Sequence, residues 1–469
     1  MPIDAPLTFG QLSTWRSIET FAPDRLMEVN VPAVWDLDGL DRTEVERGLR
    51  RLVERHEALR TTFHRDGDGR PFQRVHDRLP LRVESLELPE RDGAAGSDHD
   101  LRARVLRELH ARPFAVTGDA GWHGVLVSAG GRPRFLAVSF SHMVVDVWAI
   151  RELEAQFRVL AGDPQGLSET ATTPGPAPRE LAALQHGETW ASRRRGAQKH
   201  WARVLATGPV RNFPAAEEPG SPQRRIQVTL SSHRLAVLTG EAAALHGLSP
   251  QSVLTTMTAA ALGAVLGRDR VLVSVMCANR FDPQWLAMVS TMNQLVPLVC
   301  AVDPGAPLAS LLKRTHLNAL LAYRHGSYDV DAAAAAAATS PGPDGSVFDH
   351  DTWFNYVADP ERPVPPGITG VPPAVLSWTP PPRNAGHPFY VRVNGDGRTS
   401  MEVTVRADPD RLPAQALVTL LRVMALGVER AVTAPQSTPA DLFAAAEDAL
   451  PPELFPCGSP LELAQAAPR

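Results

Sequence analysis

Lysine is almost missing from this chain. Lys199 and Lys313 are the only two among 469 residues, and arginine carries the rest of the positive charge. A Schiff-base lysine or a Walker-type phosphate lysine therefore has almost no candidate. The bias itself fits a GC-rich genome better than a chemical role. Cysteine is scarce too, at Cys277, Cys300 and Cys457. Three such residues without a CxxC pair make neither a disulfide framework nor a cysteine zinc site, and they fit a reducing compartment. Basic excess is absent: 47 Lys+Arg against 52 Asp+Glu gives a net charge of -5, which argues against a nucleic-acid partner. No apolar run reaches about 18 residues, so no membrane span is expected. The start, Met1-Pro2-Ile3-Asp4, has no basic n-region or apolar stretch, so no secretory signal is expected and a cytoplasmic location follows. No GxGxxG follows a strand and no metal-ligand cluster stands out, so no metal is expected.

What remains is an ordinary globular composition, 43% hydrophobic and 21% charged, long enough for roughly two to three domains. Leu12, Trp15 and Ile18 recur at helical spacing. Asp41 with Glu44 forms a capping box ahead of Val45, Leu49, Leu52 and Val53, an amphipathic helix that runs on toward Phe63. A turn at 66–71 predicts a hairpin. Residues 98–112 read as a helix, and strands are expected near 29–35, 124–127 and 135–140. The last of these is apolar on both faces, as a buried central strand would be. Residues 163–178 are rich in Pro, Gly, Ser and Thr and read as a linker. A charged helix is expected over 179–206, with Arg193-Arg194-Arg195 on a solvated face. Alternating helices and strands follow, with a long helix at 413–432. Residues 436–469 read as a loosely attached tail. This pattern predicts two α/β lobes, 1–175 and 176–435, followed by the tail.

The sharpest local feature is His142 with Asp146, just past the buried strand. A rigid strand end with an open edge is a common seat for reactive groups. A histidine there can accept a proton from an amine or alcohol near neutral pH, and a carboxylate four residues on can orient the ring or organise the loop. Alone, His-x-x-x-Asp is a weak pattern and more often marks a structural histidine. His56 reads as structural, on a helix packed against its lobe. Ser141 is excluded as a nucleophile beside His142, because adjacent strand residues point to opposite faces.

The order of the segments resembles the condensation domains of non-ribosomal peptide synthetases over roughly residues 6–435. Thr8-Phe9-Gly10-Gln11-Leu12-Ser13-Thr14-Trp15 is similar to the first family motif. Arg55-His56-Glu57-Ala58-Leu59-Arg60-Thr61-Thr62-Phe63 is similar to the second, with Gln73 following. Ser141-His142-Met143-Val144-Val145-Asp146-Val147 resembles the third, HHxxxDG. Ser290 to Leu298, with Asn293, resembles the latch-proximal motif, and His325 with Tyr328-Asp329 a further one.

The resemblance implies an α/β (α+β) fold of two chloramphenicol-acetyltransferase-like lobes, a V-shaped pseudodimer with a central tunnel. It implies transfer of an acyl or aminoacyl group from a thioester to an amine or alcohol. His142 takes the place of the active histidine, as general base or as the group holding the nucleophile in line. Asp146 maps to the structural aspartate, and Arg280 to its arginine partner in a buried, bidentate pair. Ser141 replaces the first histidine of the motif and can still hydrogen-bond locally. Val147 replaces its glycine, which adds a branched side chain, resists positive φ and puts the loop and its oxyanion-binding N–H in question. Arg60, Asn293 and Asn355 are motif or tunnel positions.

The expectation is a free-standing condensation enzyme of natural-product (non-ribosomal peptide or hybrid) biosynthesis, forming an amide or an ester. No cofactor is held permanently. The phosphopantetheine arm of an acyl- or peptidyl-carrier protein, or coenzyme A, arrives as substrate, and the nucleophile is a small molecule or is itself carrier-bound. Two rivals stand beside it: a catalytically silent condensation-like domain that recruits a tailoring enzyme to a carrier-bound intermediate, and a coenzyme A-dependent acyltransferase. Epimerisation ranks below them, since no acidic residue for it can be placed.

Overall fold

The computed structural model describes residues 1–21, 23–37, 39–88, 98–162, 175–214, 225–342, 345–357, 371–381 and 387–467. The linker read at 163–178 lies outside the described residues as far as 174. In the first part of the chain the elements are β1 (Ile3–Pro6), α1 (Phe9–Ile18), β2 (Asn30–Asp36), α2 (Arg42–Arg55), β3 (Thr61–Arg65), β4 (Pro71–Val75), β5 (Val83–Leu88), α3 (Asp98–His110), β6 (Trp122–Ala129), β7 (Arg132–Ser141), α4 (Val147–Gly162), α5 (Pro178–His186) and α6 (Ala191–Thr207). Then come β8 (Ile226–Ser231), α7 (His233–His246), α8 (Pro250–Leu266), β9 (Arg270–Cys277), β10 (Gln294–Ala301), α9 (Leu308–Arg324), α10 (Val330–Ala338), β11 (Thr352–Tyr356), β12 (Val375–Trp378), β13 (Phe389–Gly395), β14 (Met401–Ala407), α11 (Ala414–Thr433), α12 (Pro439–Ala444) and α13 (Pro460–Ala464).

The described chain forms two compact units. One comprises Met1–Arg195 together with Ala278–Gln294 and Ser327–Val330; the other comprises Gly196–Cys277, Leu295–Gly326 and Asp331–Arg469. They are therefore not the consecutive blocks 1–175 and 176–435. The stretch 278–294 joins the first unit because its polar groups bond to residues there, as described below.

In the first unit a four-stranded sheet runs β2-β7-β6-β5, and β1-β4-β3 form a smaller sheet. β7 is central, antiparallel to both β2 and β6. Its side chains alternate between two cores. Leu136, Val138 and Phe140 face the larger one, with Leu49, Leu52, Leu153 and Phe157 from α2 and α4. Phe135 and Ala137 face Val105 and Leu109 of α3. That double burial is why β7 lacks the polar alternation of a surface strand.

Local signals set several boundaries. Asp41 caps α2 as a capping box with Glu44, at 2.8 Å in each direction. Thr8 and Gln11 do the same for α1, at 2.9 and 3.1 Å, so the polar stretch before Leu12 is the first turn of that helix and its cap. α2 stops at Arg55 and the chain passes through a short 3-10 turn into β3. The single helix expected over 179–206 is two helices. It breaks at Gly187, where Arg194 donates to the carbonyls of Gln185 and Gly187 at 2.6 and 2.7 Å and so closes the open end of α5. The arginine run is thus partly structural, with Arg193 lying 4.6 Å from the Trp190 ring.

The second unit is built on one seven-stranded sheet, β10-β9-β11-β13-β14-β8-β12. β11 is parallel to β9 and β13, and the ladder turns antiparallel from β13 onward. α8 is buried along Ser252–Gly263 and packs against α7, α9 and α11. The segment read as a loose tail belongs to this core. Leu442, Leu454 and Phe455 are buried in it. Arg422 of α11 donates to the carbonyls of Ala446 at 2.6 Å and Gly458 at 2.9 Å, and to that of Asp448. Backbone carbonyls bonded to a buried guanidinium tie the segment down, whatever its Ala- and Pro-rich composition suggests.

Candidate active site

β7 ends at Ser141, and the chain turns over residues 142–144 before α4 begins. The turn is held by its backbone: Ser141 N–H donates to Gly121 O at 2.8 Å, His142 N–H to Val29 O at 3.1 Å, and Val144 N–H to Ser141 O at 3.0 Å. His142 is half-buried. Ser141 is buried, and its hydroxyl accepts from Met143 N–H at 3.3 Å, a local role in keeping with a small polar residue. Val147 is the first residue of α4 and has no positive φ; the only described non-glycine residue that does is Asn279. The valine therefore sits in ordinary backbone, and no left-handed conformation is forced on it.

Asp146 has three jobs. Its Oδ1 accepts from Ala149 N–H at 2.9 Å, capping α4. Both oxygens receive Arg280, at 2.9 and 3.1 Å, and Oδ2 also accepts from Met292 N–H at 3.1 Å. Each side chain of the ion pair is 3% exposed. The bidentate pair that the resemblance implies is made through both carboxylate oxygens but a single guanidinium nitrogen. That nitrogen is Nη2, because Nη1 is spent on the carbonyls of Trp285 and Met288 at 2.9 and 2.7 Å. Nη2 also reaches Ser290 O at 3.1 Å. Arg280 thus gathers the 285–290 loop by three carbonyls and pins it beside Asp146.

Two further residues make this possible, and sequence reasoning assigned neither a role. Asn279 adopts the left-handed region at φ 56°, which asparagine tolerates better than most residues. Its side chain donates to Met292 O at 2.8 Å. Gly10, inside α1, lets the loop approach: a Cβ there would stand 2.5 Å from Thr291 O and 2.8 Å from Met292 Cα. An asparagine just after a strand and a glycine within a helix were the available signals. Trp285, Met288 and Met292 complete the seating, packed with Leu181 and Trp190.

The loop delivers Thr291 to His142. Thr291 Oγ1 lies 3.4 Å from His142 Nδ1 and donates to Asn293 Oδ1 at 2.8 Å. Asn293 thereby joins the His142 site through Thr291. Arg60 does not: its described partners are His76 O at 2.6 Å and Glu57 at 3.9 Å. Asn355 belongs to the second unit, on β11, with its amide 3.3 Å from the Tyr390 hydroxyl. His56 bonds Gln156 at 2.8 Å, and burial pushes its imidazole down to about 4. A histidine held neutral in a core is structural.

Among the described residues no group of three or more His, Cys, Asp or Glu side chains is placed to hold a metal ion. Among them, too, no helix is long and apolar enough to cross a membrane.

The family model described as Condensation domain matches residues 6–362. Enniatin synthase of Fusarium equiseti is 26% identical over 310 residues, covering 65% of this chain and 10% of that protein. The beauvericin nonribosomal cyclodepsipeptide synthetase of Beauveria bassiana is 25% identical over 352 residues, covering 69% of this chain and 10% of the other. The chain thus spans about a tenth of the length of these curated relatives. Among solved structures, the condensation domain of the Monacolin K polyketide synthase MokA matches with a TM-score of 0.71 at 16% identity, over 93% of this chain and 99% of that one. The starter condensation domain of rhizomide synthetase, in complex with C8-CoA, matches at 0.69 and 15% identity, over 93% and 96%. These likenesses show the fold.

Proposed function

The chain belongs to the condensation-domain family, and from that premise we propose that it transfers an acyl or aminoacyl group from a thioester to an amine or alcohol. The thioester is carried on the phosphopantetheine arm of a carrier protein, and the product is an amide or ester in non-ribosomal peptide or hybrid biosynthesis. In the reaction His142 Nε2 takes the proton of the nucleophile as its nitrogen or oxygen attacks the thioester carbonyl. The new C–N or C–O bond forms, the C–S bond breaks, and the proton passes from the imidazolium to the departing sulfur. Holding acceptor and thioester together supplies the rest of the acceleration.

The observation that carries this reading is the polar contact on the far side of the ring. His142 stands at the end of a buried strand with Thr291 at its Nδ1, on a loop stitched to the same turn through Asp146 and Arg280. The recruitment reading draws on Ser141 and Val147, yet the serine makes a local bond and the valine sits in unstrained helix. Coenzyme A as donor has support in the C8-CoA complex of a structural neighbour.

A single-turnover assay tests the proposal. Acyl-loaded carrier protein and acyl-CoA are supplied in parallel with candidate amines and alcohols, and intact-protein mass spectrometry follows loss of the acyl group. Wild type is expected to unload the carrier into a new product, with His142→Ala slower by about 10²-fold or more. Equal rates for the two, with carrier binding retained, would support recruitment instead. Turnover from acyl-CoA alone would make coenzyme A the donor.

A further inference from the structure

Thr291 is fully buried, at 0% exposure, and its hydroxyl has a single proton to give. That proton goes to Asn293 Oδ1 at 2.8 Å. Toward His142 the oxygen then offers only lone pairs, so the ring can meet it at 3.4 Å only as an N–H donor. We infer that Thr291 is a positioning residue that holds His142 in the tautomer protonated at Nδ1, which leaves the basic lone pair on Nε2. This rests on the reading of His142 as the base.

The separation of the two groups is set by backbone on both sides. His142 N–H is tied to Val29 O. Thr291 lies between Ser290, whose carbonyl accepts from Arg280, and Met292, whose N–H donates to Asp146 and whose carbonyl accepts from Asn279. Gly10 closes the other side against Thr291 O. Which nitrogen of a histidine keeps the proton is decided by the bond the other one makes. At 3.4 Å the contact is longer than the usual range of about 2.7–3.2 Å for such a bond, and catalytic hydrogen bonds commonly shorten when substrate arrives. A carboxylate in this place would stabilise the imidazolium. A neutral hydroxyl orients the ring and places no net charge beside it.

The test is a tautomer measurement on the full chain, labelled with ¹⁵N-histidine and read by long-range ¹H–¹⁵N correlation. The His142 signals are identified by their loss in His142→Ala. Wild type is expected to show a protonated Nδ1 and an unprotonated Nε2. Thr291→Ser keeps that pattern, and Thr291→Val, equal in shape but without the hydroxyl, loses or reverses it. In the acyl-transfer assay Thr291→Val lowers kcat by about 10- to 100-fold with the donor KM unchanged, by analogy with the residues that orient metal-ligating histidines. Thr291→Ser stays close to wild type. A wild-type spectrum with the proton on Nε2 overturns the inference even if Thr291→Val does not fold. So does an unchanged Nδ1–H pattern in folded Thr291→Val. The two readings fail separately: full activity in His142→Ala sinks the base, whereas an Nε2–H ring in an enzyme that needs His142 sinks only the role of Thr291.

Discussion

Asp146→Asn removes one charge from the buried pair and turns one of its two acceptor oxygens into an N–H donor. The amide keeps the shape of the carboxylate, and asparagine caps a helix about as well as aspartate, so the bond to Ala149 N–H costs little. What is lost is the compensation of the Arg280 guanidinium, 3% exposed, and the acceptor for Met292 N–H, since the amide that replaces Oδ2 is itself a donor. Breaking a buried ion pair by removing one partner costs about 3–5 kcal/mol. Arg280 keeps its bonds to Trp285, Met288 and Ser290, which places this case at the lower end, near about 3 kcal/mol. For a unit of this size each kcal/mol moves the midpoint by about 2–4 °C, so a drop of roughly 6–12 °C is expected. Arg280→Met should cost at least as much, since three carbonyls lose their donor along with the ion pair. The double variant carries no orphan charge and should recover about 1–3 kcal/mol relative to the sum of the singles. Differential scanning calorimetry of the full chain reads these shifts. A protein of two units can melt in more than one step, so the comparison is made on the transition that Arg280→Met also moves. A shift under about 2 °C in Asp146→Asn, or strict additivity in the double variant, would show that burial does not couple the pair and would refute the reasoning.

Two other perturbations bear on what holds each unit together. Arg422→Met removes the donor for the carbonyls of Ala446, Asp448 and Gly458; the segment 445–458 should become the first site of limited proteolysis, and an unchanged digest would count against the staple. His56 has its folded pKa lowered from 6.5 to about 4 by burial. The unfolded chain therefore binds the proton first, and the stability His56 contributes is present above about pH 6.5 and lost as pH falls toward 4, up to about 3 kcal/mol. His56→Gln should flatten the acid side of the stability profile between those limits, and parallel profiles for variant and wild type would contradict that account.

Elements carried by local signals are legible in the order of residues. The Asp41–Glu44 capping box and its apolar stripe mark α2, and the two-faced apolar run of 135–140 marks β7 with both cores it separates. These depend on neighbours within a few residues, where backbone geometry repeats. β1 and β12 escaped because a four-residue edge strand has no periodicity to show, and each pairs with a distant strand. The helix break at Gly187 escaped because a lone glycine within a helical pattern does not by itself end one. The tail at 436–469 looked loose because nothing near Leu454 or Phe455 in sequence tells what buries them.

By itself the sequence determined which residues to nominate for chemistry. The spacing of His142 and Asp146 past a buried strand, and the choice of Arg280 through the resemblance, rest on the order of residues alone. Only the tertiary structure decided how those groups meet. Thr291 reaches His142 across 149 positions of chain, and it does so because Asn279 turns left-handed, Arg280 spends three of its bonds on carbonyls and Gly10 leaves room. Each of those contacts is chosen by the desolvation of a buried guanidinium and the space available to a backbone. Neither quantity exists until the chain has folded.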